Sequence, residues 1–571
     1  MHSSSLKSLL TALALISVPT VMIAACGSSG DSTFAGSSGD LSSSGSSGSS
    51  SGFGGSGEGT SGEPARPCEG LECKQVACPN GGTTSLSGTV YAPNGTLPLY
   101  NAIVYVPNAP VEPFPTTGVT CDKCGTSPSG KPVATALTDA DGKFKLTNVP
   151  VAENIPLVVQ IGKWRRQVVV PSVASCADTA LTADNTRLPR NKTEGDIPKI
   201  ALTTGGADSL ECFFRKLGVD QSEFSSDSGT GRIHLYNGVR RGARCQRWTT
   251  DGNDRWEDRS WSECTAAEIN KAEWSGTNPT TNDQDYRIVA VNEDGADTIK
   301  AFNGAPAATL APATSLWGST AGGSTGYSCA ANGFAENKRC RSTGNVTSWP
   351  AATNHLKDYD MVVLSCEGDE NNVTKDDASR AALREYMEAG GRVFNSHFHY
   401  TWFKNPTATN PLNATATWVN NSERGDRSTR IDASFAKGQA FAHWLVAAGA
   451  ATVDGAGNTN SAMKELRKNV TAVPATSRRW IYEPGDSDAV KFYSFNMPLA
   501  SAADAQCGRA VYTDIHVSSG DQSGGTFPDN CTTLANGLSN QEKALLFLMM
   551  DLSSCIQDET KPPAAPPPVV N

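Results

Sequence analysis

The hydrophobic pattern of the chain changes period more than once, and each change marks a boundary. From Thr83 apolar and polar residues alternate in short runs. "TSLSGTVYAPNG" puts Leu86, Gly88 and Val90 on one face and ends in Asn94-Gly95, a hairpin turn signal. "NAIVYVPN", "GKFKLTNV" and "IPLVVQIGKWRRQVVVP" supply further strands, and Asp139 to Gly142 makes a tight turn before the strand from Lys143. Short strands with no helical run between them predict a small antiparallel β-sandwich over about residues 68–190.

After "NKTEGDIP" the period lengthens. "KIALTTGG" reads as a buried strand, and "ADSLECFFRKLG" has helical spacing with Leu210, Phe213, Phe214 and Leu217 apolar and Gly218 as the stop. "RIHLYNG" is the next strand. A Cys-, Gly- and Trp-rich stretch at about 240–350 shows weak periodicity and reads as a disulfide-pinned insertion. The strand–helix rhythm resumes at "DYDMVVLSCEGDE". "TKDDASRAALREYMEAGG" is a helix with Thr374 and Asp377 in capping-box positions and Gly390-Gly391 as the stop. "RVFNSHFHYTWF" reads as a strand, "FAKGQAFAHWLVAAG" as a helix, and "VKFYSFN" and the run from Gly508 to Val517 as strands. "SNQEKALLFLMMDL" is a helix with Ser539 and Glu542 in capping-box positions. Strands alternating with helices predict a mostly parallel sheet covered on both faces.

Two stretches resemble known families. "SGTVYAPNGTLPLYNAIVYVPN" followed by "ALTDADGKFKLTNVPVAENIPLVVQ" resembles the carboxypeptidase regulatory-like, transthyretin-like β-sandwich. That resemblance implies a non-catalytic spacer or binding module. The long "VEPFPTTGVTCDKCGTSPSG" loop departs from the compact pattern and is expected to carry a bridge. "YDMVVLSCEG", "LREYMEAGGRVFNSHF" and the late "AVYTDIH" behind Gly508-Arg509 resemble the class I glutamine-amidotransferase-like fold, and within it the trehalose-utilisation (ThuA-like) branch. The matching residues are Tyr359, Asp360, Tyr386, Gly390, Gly391 and His397, then Gly508, Arg509, Tyr512, Thr513 and His516. The resemblance spans roughly residues 197–556 and implies an α/β, flavodoxin-like domain. The expected chain is therefore multidomain, the sandwich followed by this α/β domain with its disulfide-rich insertion.

Composition adds a compartment. One lysine, Lys7, precedes "LLTALALISVPTVMIAAC", a short apolar run ending in small residues and Cys26. This resembles a bacterial lipoprotein signal over residues 1–25, with Cys26 lipidated. Gly27 follows, so an outer-membrane anchor is expected. Residues 26–67 are Gly/Ser-rich and cannot bury enough apolar surface to fold, which makes them a tether. Residues 557–571 are a Pro-rich, extended tail. Net charge is -10, and no basic stripe appears, which argues against nucleic acid as the partner. The expected partners are the membrane and an envelope polysaccharide or protein.

Sixteen cysteines fit an oxidising exterior. With Cys26 set aside, six (Cys68, Cys73, Cys78, Cys121, Cys124, Cys176) precede residue 190 and nine follow it, so at least one is free or pairs between the two groups. "CDKC", Cys121 to Cys124, lacks the second half of a zinc site and reads as a structural disulfide in a loop. Pairing chiefly within each folded unit is the expectation.

Ligands of parallel sheets bind beyond the carboxyl ends of the strands. That puts Cys366, Glu367, Ser396, His397, His399, Asp514 and His516 in play. The glutaminase members of the family hold a cysteine nucleophile at a sharp elbow, where this chain reads Asn395-Ser396-His397-Phe398-His399. Without that cysteine, glutamine hydrolysis by this route is not expected. His397, His399 and His516, with Glu367, Asp369 or Asp514, could form a divalent-metal site, an acid/base pair, or a hydrogen-bonded polar pocket without chemistry. Ser396 as a nucleophile lacks the G-x-S-x-G context. The expected function is a binding, adhesion or structural surface protein with a catalytically degenerate amidotransferase-like domain. The alternative is a hydrolase of carbohydrate-related or amide substrates.

Overall fold

The most apolar strands of the sequence lie side by side in the middle of one mixed sheet. Among the described residues that sheet has eleven strands. From one edge to the other they are Thr452–Val453, Thr459–Ala472, Thr417–Ile431, Ser477–Glu483, Ala489–Met497, Gly508–Thr513, Arg392–Asn395, Met361–Leu364, Ile200–Thr203, Ile233–Tyr236 and Phe224–Ser225. From Gly508–Thr513 onward the neighbours run parallel; before it they run antiparallel. The computed structural model describes residues 67–569 apart from 116–117, most of 239–353, 369, 371–374, 405–409, 486–488 and 518–524. The signal, Cys26, nearly all of the tether, Thr374, Asp369 and most of the insertion at about 240–350 lie outside the described residues.

The parallel strands are buried on both faces, which is why they read as unbroken apolar runs. Met361, Val363, Phe394 and Val511 join one core cluster, while Val362, Leu364, Val393 and Ala510 join the other. Helices Asp377–Glu388, Ala436–Ala447 and Asn540–Ser553 and the shorter Leu210–Lys216 are interleaved with these strands in the sequence. The Asn540–Ser553 helix opens on the expected capping box of Ser539 and Glu542. The Asp377–Glu388 helix does not use the expected cap. Its N-cap is Asp376, whose carboxylate accepts from the Ser379 N–H.

The polar half of the sheet has no counterpart in the sequence reading. Thr417–Ile431 and Thr459–Ala472 form a long antiparallel pair with several register shifts, mostly exposed on the first strand. Irregular register breaks the alternation a strand would show, so period 2 never emerges.

Residues 85–180 carry two further sheets. One orders Lys143–Thr147, Ser85–Thr89 and Asp178–Ala180, the other Pro132–Leu137, Ile103–Pro107, Glu153–Ile161 and Trp164–Ser172. All pairs are antiparallel except Ser85–Thr89 with Asp178–Ala180. Their inward residues, including Leu86, Val104, Phe144 and Val159, belong to the same core cluster as Phe213, Phe441, Trp444 and Phe547. Tyr100 stacks on Phe547 at 5.4 Å, and the Trp444 indole donates to the Pro98 carbonyl at 2.8 Å.

Two expectations about cysteine are corrected here. Cys121 and Cys124 do not bridge each other; they pair with Cys507 and Cys555. The "CDKC" loop is thus a double clamp between distant stretches of chain. Cys68–Cys73, Cys78–Cys176 and Cys212–Cys531 are the other pairs among the described residues. Spacing of two gives no hint of this, because the partners lie 386 and 431 residues away. The Pro-rich tail is docked on the first sheets. Thr135 Oγ1 donates to the Pro566 carbonyl at 2.6 Å, and the Val569 N–H to that of Pro132 at 2.9 Å.

Candidate functional site

The parallel strands end together, and three chemically active side chains meet just past those ends. Cys366 follows Met361–Leu364, His397 follows Arg392–Asn395, and His516 follows Gly508–Thr513. Cys366 Sγ lies 3.7 Å from His516 Nε2, which lies 3.4 Å from His397 Nδ1. One ligand atom from each residue falls within 4.8 Å of the others. The cluster is closed: Cys366 and His397 are 0% exposed and His516 7%.

The strand through "RVFNSHFHYTWF" stops at Asn395, and His397–Trp402 is a 3₁₀ helix. That turn corrects the expectation of two histidines on one strand face. In a 3₁₀ helix residues two apart point about 240° apart, so His397 and His399 diverge. His399 Nε2 lies 2.8 Å from the Ser365 carbonyl and its Nδ1 accepts from the Trp402 indole at 3.1 Å. Both ring nitrogens are thereby satisfied with the ring neutral, and burial lowers its pKa to about 4. His399 is a structural residue, not a member of the cluster.

His397 is held from behind. Its Nε2 lies 3.2 Å from Asn421 Oδ1 and 3.1 Å from Asn469 Oδ1. Two facing acceptors put the ring proton on Nε2 and leave the Nδ1 lone pair aimed at His516. Burial, with His516 alongside, lowers the His397 pKa to about 3, so the ring is neutral. Asp514 acts one step further back. Its carboxylate accepts from the backbone N–H groups of Asn469 at 2.6 Å and Val470 at 3.2 Å, and from the Tyr512 hydroxyl at 2.7 Å. Burial raises the Asp514 pKa. His516 Nδ1 faces the Glu465 carboxylate at 3.6 Å.

Glu367 and Ser396 sit elsewhere. The Glu367 carboxylate pairs with Lys375 at 2.8 Å. Ser396 Oγ donates to Asp208, whose other oxygen accepts from the Val517 N–H at 2.9 Å. Cys366, expected on the rim with Glu367, is instead inside the cluster. Burial, reinforced by the Asp208 charge, pushes its thiol well above the usual cysteine range. The expected partly hydrated histidine pocket is likewise corrected, because residues of the long polar strand pair Thr417–Ile431 and Thr459–Ala472 pack against the histidines.

Asn421, Glu465 and Asn469 come from that strand pair, and the sequence reading missed all three. They lie in polar strands without periodicity, so no sequence signal marked them.

The structure is similar to a protein described as ThuA-like from Bacteroides uniformis, at 12% identity, covering 32% of this chain and 69% of that one, with a TM-score of 0.21. A cohesin–X-dockerin complex from Acetivibrio cellulolyticus is similar at 14% identity, covering 26% of this chain and 78% of that one, with a TM-score of 0.12. At such TM-scores neither likeness bears on the site. No protein-family model and no curated protein matches the chain.

Proposed function

We propose that this chain is a cell-envelope lipoprotein, anchored at the outer membrane through Cys26, whose amidotransferase-like part binds a ligand and does not hydrolyse glutamine. The fold reading behind it is the ThuA-like branch, with the carboxypeptidase regulatory-like sandwich as a second module. One observation carries the proposal. Ser396 stands at the elbow with its hydroxyl taken up by Asp208, and the nearby Cys366 is fully buried with its thiol pushed up. A cysteine nucleophile acts as an exposed thiolate, and this one is neither exposed nor ionised. An envelope polysaccharide or protein is the partner class that the tether and the acidic charge suit.

The test uses the full-length chain in detergent, with and without a chelator, treated with an electrophilic glutamine analogue. Intact-mass analysis is expected to show Cys366 unmodified in the folded protein and modified after denaturation, with no glutamine turnover. Stoichiometric labelling of the folded protein together with turnover would overturn the proposal. A second reading is favoured by the 3.7 Å contact of Cys366 with His516: a Cys–His hydrolase of amide or carbohydrate-related substrates. It requires labelling of folded protein that His516→Ala abolishes.

A further inference from the structure

The Cys366–His397–His516 cluster has the dimensions of a metal site. A tetrahedral ion with a thiolate at ~2.3 Å and imidazoles at ~2.0 Å holds its nitrogens about 3.3 Å apart and sulfur from nitrogen about 3.5 Å apart. Two of the three observed separations are close to these, 3.4 Å for His516 Nε2 to His397 Nδ1 and 3.7 Å for Cys366 Sγ to His516 Nε2, and the third lies within 4.8 Å, so a small inward shift of Cys366 and His397 completes the set.

A second observation is independent of the distances. Asn421 and Asn469 hold the His397 proton on Nε2, and Glu465 faces Nδ1 of His516. The Asn pair leaves the His397 Nδ1 lone pair facing His516 Nε2 at 3.4 Å, a contact that a proton or a bound cation can bridge. Ligating histidines commonly give their outer N–H to a carboxylate or carbonyl; His397 does so to the two Asn carbonyls, and Glu465 stands 3.6 Å from the outer nitrogen of His516. Glu465 reaches its place through a backbone φ of +53°, a strained value for a residue with a side chain. Strain of this kind collects at functional positions.

We infer that Cys366, His397 and His516 bind one zinc-type divalent ion, with Glu465, Asn421 and Asn469 orienting the rings. The inference rests on reading the strand-end cluster as a binding site. One thiolate and two imidazoles suit zinc and its neighbours, and they suit magnesium or calcium poorly, because those ions take oxygen ligands. Binding replaces the S–H bond with a metal–sulfur bond and releases that proton to solvent. Three protein ligands leave a fourth place for a donor from outside.

The experiment strips the full-length chain with a chelator and titrates it with Co2+ and then Zn2+. Wild-type protein is expected to take up one ion with a thiolate-to-cobalt charge-transfer band, which Zn2+ bleaches. Cys366→Ser is expected to lose the band and His516→Ala to lose tight binding. Glu465→Gln is expected to weaken affinity by about 10–100-fold. His443→Ala, at an exposed histidine that pairs with Asp141, is expected to change nothing. The wild-type spectrum needs no substitution, so a variant that fails to fold does not block the test. A folded wild-type chain with no band, or a band that survives Cys366→Ser in folded protein, overturns the inference. Metal binding with glutamine-analogue labelling in the stripped protein sinks the non-hydrolytic reading instead. No metal and no labelling sinks the metal inference and leaves the binding reading standing.

Discussion

His234 shows how little an imidazole's identity says about its role. It stands on the buried strand Ile233–Tyr236, with Nδ1 2.9 Å from the Tyr359 hydroxyl and Nε2 3.1 Å from the Gly231 carbonyl. Burial, with Lys199 nearby, lowers its pKa. The folded state therefore binds fewer protons than the unfolded chain, so stability is full above about pH 6.5, the unfolded value, and falls as the pH drops below it. His234→Gln is expected to flatten that acid slope, which denaturant titrations at several pH values would measure. An unchanged slope would place the titration elsewhere. A second residue pair tests burial of charge. Lys216 and Glu542 meet at 2.7 Å with their side chains 1% exposed. Glu542→Ala is expected to cost about 3–5 kcal/mol, since it strands a buried ammonium. Lys216→Met with Glu542→Leu should recover most of that loss in chemical denaturation; no recovery would mean that packing, not charge, sets the cost.

At the scale of elements, helices were more legible than strands, and the reason is local. The Asn540–Ser553 helix carries its own start signal, since the Ser539 hydroxyl accepts from the Glu542 N–H and the Glu542 carboxylate from the Ser539 N–H. Ser539→Ala is expected to cost about 1 kcal/mol, read as a shift in the denaturation midpoint with unchanged slope. The stop at Gly390 was legible for a different cause than it first suggested. Its φ of +118° is open to glycine, and a Cβ there would collide with the Thr120 carbonyl of the clamp loop. The 3₁₀ turn His397–Trp402 was not legible, because "HFHYTW" alternates like a strand. Its conformation depends on distant contacts, among them Ser365 and Glu370. Propensity yields to such contacts wherever they are many.

Across the whole molecule, the cysteines join what the sequence reading kept apart. Cys121–Cys507 and Cys124–Cys555 tie a loop of the first sheets to the start of Gly508–Thr513 and to the stretch after the helix Asn540–Ser553. Closing such long loops removes much of the freedom of the unfolded chain. Cys121→Ser with Cys507→Ser is expected to lower stability by about 2–5 kcal/mol, measured by unfolding in oxidising buffer. An effect under about 0.5 kcal/mol would mean that the shared core already holds the two parts. The anchor belongs to the same scale. Cys26→Ser is expected to move the protein from the membrane fraction to the soluble one, and a mutant that still fractionates like wild type would refute the lipoprotein reading.

The sequence by itself determined the elements whose signals are local: the apolar strands, the capped helix from Ser539, and the absence of cysteine between Asn395 and His399. Each depends on residues within a few positions of one another, where spacing and chemistry suffice. It also brought His397 and His516 into one set of candidates, since parallel strands end on a common edge. Only the tertiary structure decided which residues meet there. It removed His399 by a 3₁₀ turn, drew Cys366 inward, paired Glu367 with Lys375, and supplied Asn421, Glu465 and Asn469 from a polar antiparallel strand pair. Most of those contacts span tens to more than a hundred residues, and hydrophobic period carries no information at that range.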